Sequence, residues 1–225
     1  MADDRPQSGS SQAASRFLAR WLFSPLQGVR LGDWLRVLRD NHFAVEPRFW
    51  PRATLTTLGS VANSAIARRE NHRIAAQIPA AVDHPPVFVI GHHRSGTTYL
   101  WNLMATNPRF TYPTVLQAIF PRTFFTVEGA MAGLMHALGY STRPQDNVAL
   151  TPRSPGSEER ALCAMTFVSI QMVRHFPRHR ERFERFLTMR DATREDRENG
   201  KRAFDWFARK LLLHYGADRT LIFKS

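Results

Sequence analysis

Apolar residues change their spacing several times along this chain, and the changes mark its elements. Residues 1–14 are small and polar, which predicts a disordered tail. Over 16–23 aromatic, leucine and arginine positions alternate, as in Phe17-Leu18 and Trp21-Leu22-Phe23. Trp34, Val37 and Leu38 fall at i, i+3 and i+4 and predict an amphipathic helix. A helix or helix pair is expected over 53–78, ended by Ile78-Pro79. His84-Pro85-Pro86 then leads into Val87-Phe88-Val89-Ile90, a run rich in β-branched residues that reads as a buried parallel strand. Helical spacing follows over 99–104, and 111–125 is apolar but irregular.

The second half alternates in the same way. A helix is expected over 127–138, stopped by Gly139, and the Pro- and Gly-bearing segment 141–157 reads as a long loop. Helical spacing returns over 159–174, with Leu162, Met165, Thr166 and Ser169 along one side. Residues 177–197 are dense in Arg and Glu and read as a solvated helical surface with pairs such as Glu181–Arg185. Thr193-Arg194-Glu195-Asp196 has the form of a capping box. The helix it opens carries Phe204, Phe207, Ala208, Leu211 and Leu212 on one face and closes at Gly216. A second buried strand is expected over 220–223. The organisation expected is a tail (1–14), a helical N-terminal cap (15–84) and an α/β core (85–225).

The chemistry concentrates where the first strand ends. Gly91, four residues, then Gly96-Thr97-Thr98 and a helix is how a chain cradles phosphate. Backbone N–H groups curl round the anion, and the helix N-terminus adds partial positive charge. The spacing is that of G-x-x-x-x-G-K-[ST], except that Thr97 stands where the lysine belongs and the cation is Arg94. That lysine reaches the terminal phosphates of a nucleoside triphosphate, so its loss argues against ATP or GTP hydrolysis here.

The stretch Arg94-Ser95-Gly96-Thr97-Thr98 after Gly91 resembles the 5′-phosphosulfate loop of sulfotransferases that use 3′-phosphoadenylyl sulfate (PAPS), chiefly the bacterial group with a G-x-x-R-S-G-T-T loop. Asn107-Pro108-Arg109-Phe110, Asp146-Asn147-Val148, Ser154-Pro155 with Glu158-Glu159, and Leu221-Ile222-Phe223-Lys224-Ser225 are similar to further motifs of that family. The resemblance implies an α/β fold with a P-loop NTPase-like parallel sheet and a PAPS cosubstrate held by Arg94, Ser95, Gly96, Thr97 and Thr98. It also implies a truncation, since Ser225 falls inside the K-S-P-x-H motif and the 3′-phosphate site would lie beyond it.

Arg94 suits the leaving phosphate, because its guanidinium can grip two oxygens. Lys224 ends a strand, where open α/β sheets bind ligands, and by resemblance it reaches the sulfuryl group. The base that deprotonates the acceptor hydroxyl or amine is open: Glu159 comes first, then Asp146 and His93, with Glu158 beside them. Ser157 stands where the family has an acid, and no carboxylate occurs over 112–117. No metal is implied, since N–H groups and cations suffice to hold sulfate.

Composition narrows the partners. The 31 Lys+Arg against 19 Asp+Glu give a net charge of +12, which favours anionic ligands or surfaces. Acids interspersed among the arginines of 177–197 argue against nucleic acid. One cysteine excludes an internal disulfide and fits a reducing cytoplasm. No stretch has the length of a membrane span, and the first fifteen residues lack a signal pattern. Arginine-bearing N-terminal helices with Trp and Phe leave peripheral membrane contact open. A cytoplasmic PAPS-dependent sulfotransferase with a small-molecule, lipid or glycan acceptor is the expectation, membrane association being left open. The alternatives are a P-loop kinase or other NTP-binding protein, and a non-catalytic anion- or membrane-binding module.

Overall fold

The computed structural model describes residues 24–92, 95–138 and 151–224. Its helices are α1 (Leu31–Asp40), α2 (Trp50–Ile74), α3 (Thr97–Met104), α4 (Val115–Ile119), α5 (Phe124–Ala137), α6 (Glu158–Thr166), α7 (Arg180–Glu184) and α8 (Arg194–Tyr215). Three strands, β1 (Val87–Val89), β2 (Phe110–Thr111) and β3 (Thr220–Lys224), form a parallel sheet in the order β1-β3-β2.

The central strand β3 alternates its side chains between two faces. Ile222 packs with Val89 and Trp101 on one face. Leu221 and Phe223 pack with Phe207 and Leu211 of α8 on the other. Helices therefore cover both faces, as a parallel sheet requires. β1 departs from the buried strand expected: Val87 and Phe88 are 38% and 44% exposed. It pairs only with β3 among the described residues, so its outer edge lacks a neighbour. Phe88 is held on its inner face, its ring 5.8 Å from Phe204 and 5.6 Å from Phe223.

The N-terminal helices share a core with the rest. Trp34, Val37 and Leu38 of α1 join Leu26 and Val29 in one cluster with Cys163, Phe167, Met172 and Phe183. The Trp34 indole donates to Thr57 Oγ1 at 2.9 Å, and Ser64 Oγ accepts the Leu31 N–H at 2.9 Å. α2 is a single helix, not a pair, and both of its faces mix polar and apolar residues. Its buried side carries Thr56, Ser60, Asn63 and Glu70, while Leu58 and Val61 are 64% and 49% exposed.

The polar side of α2 ends in a buried ion pair. Lys210 Nζ donates to Glu70 Oε1 at 2.6 Å and to the Pro121 carbonyl at 2.9 Å, both side chains being essentially inaccessible. Glu70 Oε2 accepts the Thr126 N–H at 2.9 Å and its hydroxyl at 2.6 Å. The Lys210 ammonium also lies 4.3 Å from the Phe124 ring centroid. The pair ties α2, α5 and α8 together.

Several boundaries differ from expectation. The helix expected over 159–174 breaks after Thr166, where Phe167 adopts φ +59°, and a 3-10 turn follows over Ile170–Arg174. Ser169 opens that turn, its hydroxyl accepting the Gln171 N–H. The irregular stretch 111–125 contains α4, opened by a capping box between Thr114 and Gln117. In 177–197 a 3-10 turn over Pro177–His179 and the short α7 precede α8, with Phe183 buried; Arg185 pairs with Asp196 rather than Glu181, because α7 ends at Glu184. The capping box of Thr193 and Asp196 at the start of α8 forms as expected.

Candidate functional site

Gly91 and Gly96 bracket the loop between β1 and α3, and each is required by its geometry. Gly96 caps α3 at φ +89°, a left-handed conformation that costs a side-chain-bearing residue roughly 1–2 kcal/mol. A Cβ at Gly91 would come within 2.6 Å of Thr97 Cγ2 and 2.8 Å of Ser95 Oγ. The loop is therefore folded back on the first turn of the helix. Ser95 fastens it, its N–H and hydroxyl donating to the His92 carbonyl at 3.1 and 2.6 Å. Gly96 O accepts the Leu100 N–H at 3.0 Å, starting the helical ladder. Thr97 and Thr98 occupy the first turn of α3 and are half-buried. His93, Arg94 and Asp146 lie outside the described residues.

The register of the sheet brings Lys224 to this loop. Val89 of β1 is the partner of Lys224 in β3, so the lysine stands beside the strand end that feeds Gly91. A buried carboxylate holds the same point: Glu158 Oε2 accepts the Lys224 N–H at 3.2 Å, and Glu158 is 3% exposed. The segment before α6 is clamped in place, the Gly156 N–H donating to the Pro113 carbonyl at 2.7 Å and the Val115 N–H to the Ser154 carbonyl at 2.9 Å. Glu158 thereby faces β3, and its carboxylate at the first position of α6 also suits the helix N-terminus.

Glu159, one residue on, points elsewhere. Its Oε1 accepts the Ser169 hydroxyl at 3.0 Å. That is the side of Cys163, whose thiol burial pushes up to about 12, so the cysteine is inert. The structure therefore brings Ser95, Gly96, Thr97, Thr98 and Lys224 to one end of the sheet with Glu158. The Glu158–Lys224 contact was not legible in the sequence beyond the adjacency of Glu158 to Glu159.

A cavity of about 990 Å³ lies along the free edge of β2. Phe110, Tyr112, Phe124, Phe125 and His214 supply aromatic walls, and Glu128 is its acid. Glu128 Oε1 accepts the Thr114 hydroxyl at 3.3 Å. The Tyr215 hydroxyl donates to Gln117 Oε1 at 3.0 Å, and burial pushes its phenol up to about 12. One end of the cavity, at Tyr112 and Thr114, lies just past the C-terminal end of β2. In a parallel sheet that is the edge on which Gly91 and Lys224 also stand.

Two curated proteins resemble the chain over 219 residues, 94% of its length, at 29% identity. They are the omega-hydroxy-beta-dihydromenaquinone-9 sulfotransferases Stf3 of Mycobacterium bovis and Mycobacterium tuberculosis. The chain spans 55% of those relatives, about half their length. No family model matches it. No solved structure matches it.

Proposed function

We propose that this chain forms the phosphate-loop part of a sulfotransferase that moves a sulfuryl group from PAPS to a lipidic hydroxyl acceptor, a hydroxyl or amine being the wider class. The observation that carries the reading is the similarity to sulfotransferases along 94% of the chain. The glycine-bounded loop at the C-terminal end of a parallel strand supports it. The absence of a lysine at position 97 removes the phosphate contact that a nucleoside triphosphate site uses.

The residues divide the work. The N–H groups of Gly96, Thr97 and Thr98 hold the 5′-phosphosulfate, while Ser95 fixes the loop's shape through its bonds to the His92 carbonyl and Gly91 lets the loop close on Thr97. Arg94 and Lys224 stabilise the charge that grows on the phosphate as its oxygen–sulfur bond breaks and keeps the electron pair. The acceptor oxygen forms the new bond to sulfur and gives up its proton to a base. Glu159, Asp146 and His93 are the bases to test, and each true base is worth about 10²–10⁴-fold in rate. Glu158 acts through Lys224 by fixing the end of β3. The relatives' printed names give a hydroxylated dihydromenaquinone as their acceptor; for this chain we take a hydroxylated lipid as the class, its apolar part lying along the aromatic cavity beside β2.

The test is a thermal-shift titration of the full polypeptide that contains this chain, with 3′-phosphoadenosine 5′-phosphate, with ATP and magnesium, and with Arg94→Ala. Saturable stabilisation by the bisphosphate, lost in Arg94→Ala and absent with ATP, is expected. Stabilisation by ATP and magnesium alone would return the loop to the kinases.

A further inference from the structure

We infer that the outward face of α2 is a docking surface for an anionic lipid bilayer. A water-facing helix puts its polar side out, whereas the outward face of α2 is apolar over its first half. Leu58 and Val61 stand outward at 64% and 49% exposure in mid-helix, with Trp50 at 60% at the start. Thr56, Ser60 and Asn63 face inward. Asn63 fixes that orientation, its Nδ2 donating to the carbonyls of Gln27 and Val29, while Ser60 Oγ donates to the Thr57 carbonyl of its own helix. The helix is therefore oriented by its buried hydrogen bonds, and its apolar stripe is left outside.

The charge on the same helix selects the occupant. Arg68, Arg69 and Arg73 follow the apolar stretch and are exposed. None of the three forms an ion pair among the described residues, and the helix's single acid, Glu70, is buried against Lys210. Arg69 and Arg73 flank a groove of about 510 Å³ with Ile66 and Thr126, open to a headgroup phosphate. A helix of 25 residues, about 37 Å long, lying flat with Leu and Val in the acyl boundary and arginines at the headgroups is the interfacial arrangement. α1 does not share this role, because its Trp34, Val37 and Leu38 are buried in the core. A second copy of the chain would bury Leu58 and Val61 equally well. It would also bring like-charged arginines together with no acid on the face to meet them, which favours the anionic bilayer.

The inference stands apart from sulfuryl transfer, since docking needs neither nucleotide nor acceptor. The experiment is co-sedimentation of the full polypeptide with phosphatidylcholine vesicles, with and without phosphatidylglycerol, at low and high salt. One variant is Leu58→Gln with Val61→Gln; the other is Arg68→Gln, Arg69→Gln and Arg73→Gln together. Both alter exposed groups, so melting temperatures should stay within about 2 °C of the parent. Binding to the anionic vesicles is expected, weakened roughly a hundredfold by the triple arginine change at low salt. The apolar change should weaken it at both salt concentrations. Equal binding to neutral and anionic vesicles, or variants that bind like the parent, would overturn the inference. So would a concentration-dependent dimer in light scattering that the apolar variant dissolves without any change in vesicle binding, which assigns the face to a second copy.

Discussion

Replacing Lys210 with methionine would break the pair that joins α2 to α8. Methionine fills most of the lysine's volume, so the change isolates the charge. It leaves the Glu70 side chain at 1% exposure without its cation, with only the N–H and hydroxyl of Thr126 as donors, and strands the Pro121 carbonyl. Removing one partner of such a pair costs about 3–5 kcal/mol. For a domain of this size that is a fall in Tm of roughly 6–20 °C, at 2–4 °C per kcal/mol.

Glu70→Gln should cost less and depend on pH. Burial already pushes the Lys210 amine down to about 8, against the pull of Glu70. Without the carboxylate it falls further, so the folded variant can shed the proton. The folded value lies below the unfolded 10.5, so above it the unfolded state holds the extra proton and stability rises with pH. The gap between Glu70→Gln and the parent should therefore narrow as pH rises towards 8, by at most about 1.4 kcal/mol per unit. The double variant Glu70→Gln with Lys210→Met keeps an acceptor for Thr126 and buries no charge, so it should recover much of the Lys210→Met loss. Chemical and thermal unfolding of the four proteins closes the cycle. Losses that add to within about 0.5 kcal/mol, or a Lys210→Met loss below about 1 kcal/mol, would refute the reasoning.

Four further outcomes are expected. Burial, with Arg52 and Arg174 adding to it, pushes the His175 imidazole down to about 4, and its Nδ1 lies 3.3 Å from the Arg52 guanidinium. The unfolded ring takes its proton near 6.5, so stability should fall by at most about 3 kcal/mol as pH drops from 6.5 towards 4; a parallel acid titration of His175→Asn should lack that fall. Gly96→Ala, at φ +89°, should lower stability by about 1–2 kcal/mol, measured by urea unfolding. Gly91→Ala should instead weaken 3′-phosphoadenosine 5′-phosphate in calorimetry, through the 2.6 Å approach to Thr97. Glu158→Gln keeps an acceptor for the Lys224 N–H and should unfold close to the parent, whereas Glu158→Ala strands that donor and should cost about 1–3 kcal/mol.

What was readable in the sequence, and what was not, follows from which forces act locally. β1, the loop and α8 were legible because their signals lie within a few residues: a β-branched run, two glycines, a capping box. α4 carried a capping box too, Thr114 to Gln117, but five residues are too few to show a period. β2 has two residues and exists only because β3 lies beside it. α2 was expected as a helix, but its buried face could not be read from a period, because that face mixes Ala67 and Ile74 with polar groups such as Asn63, which satisfies the carbonyls of Gln27 and Val29. Lys210 reads as a polar position, yet its partner is 140 residues away.

The two glutamates at the start of α6 separate what adjacency can and cannot say. Successive helical residues point about 100° apart, so Glu158 and Glu159 face different surroundings. One carboxylate turns to the end of β3 and the other to Ser169. A residue that resembles a family's catalytic acid by position in a motif must still face the reacting atoms. Glu159 acts as the base only if its bond to Ser169 opens when substrate binds. Ser169→Ala then becomes informative: it frees Glu159 without touching the loop. A base released from that bond should raise the rate or shift its acid limb. A carboxylate that only braces the turn after α6 should lose stability and leave the pH profile unchanged.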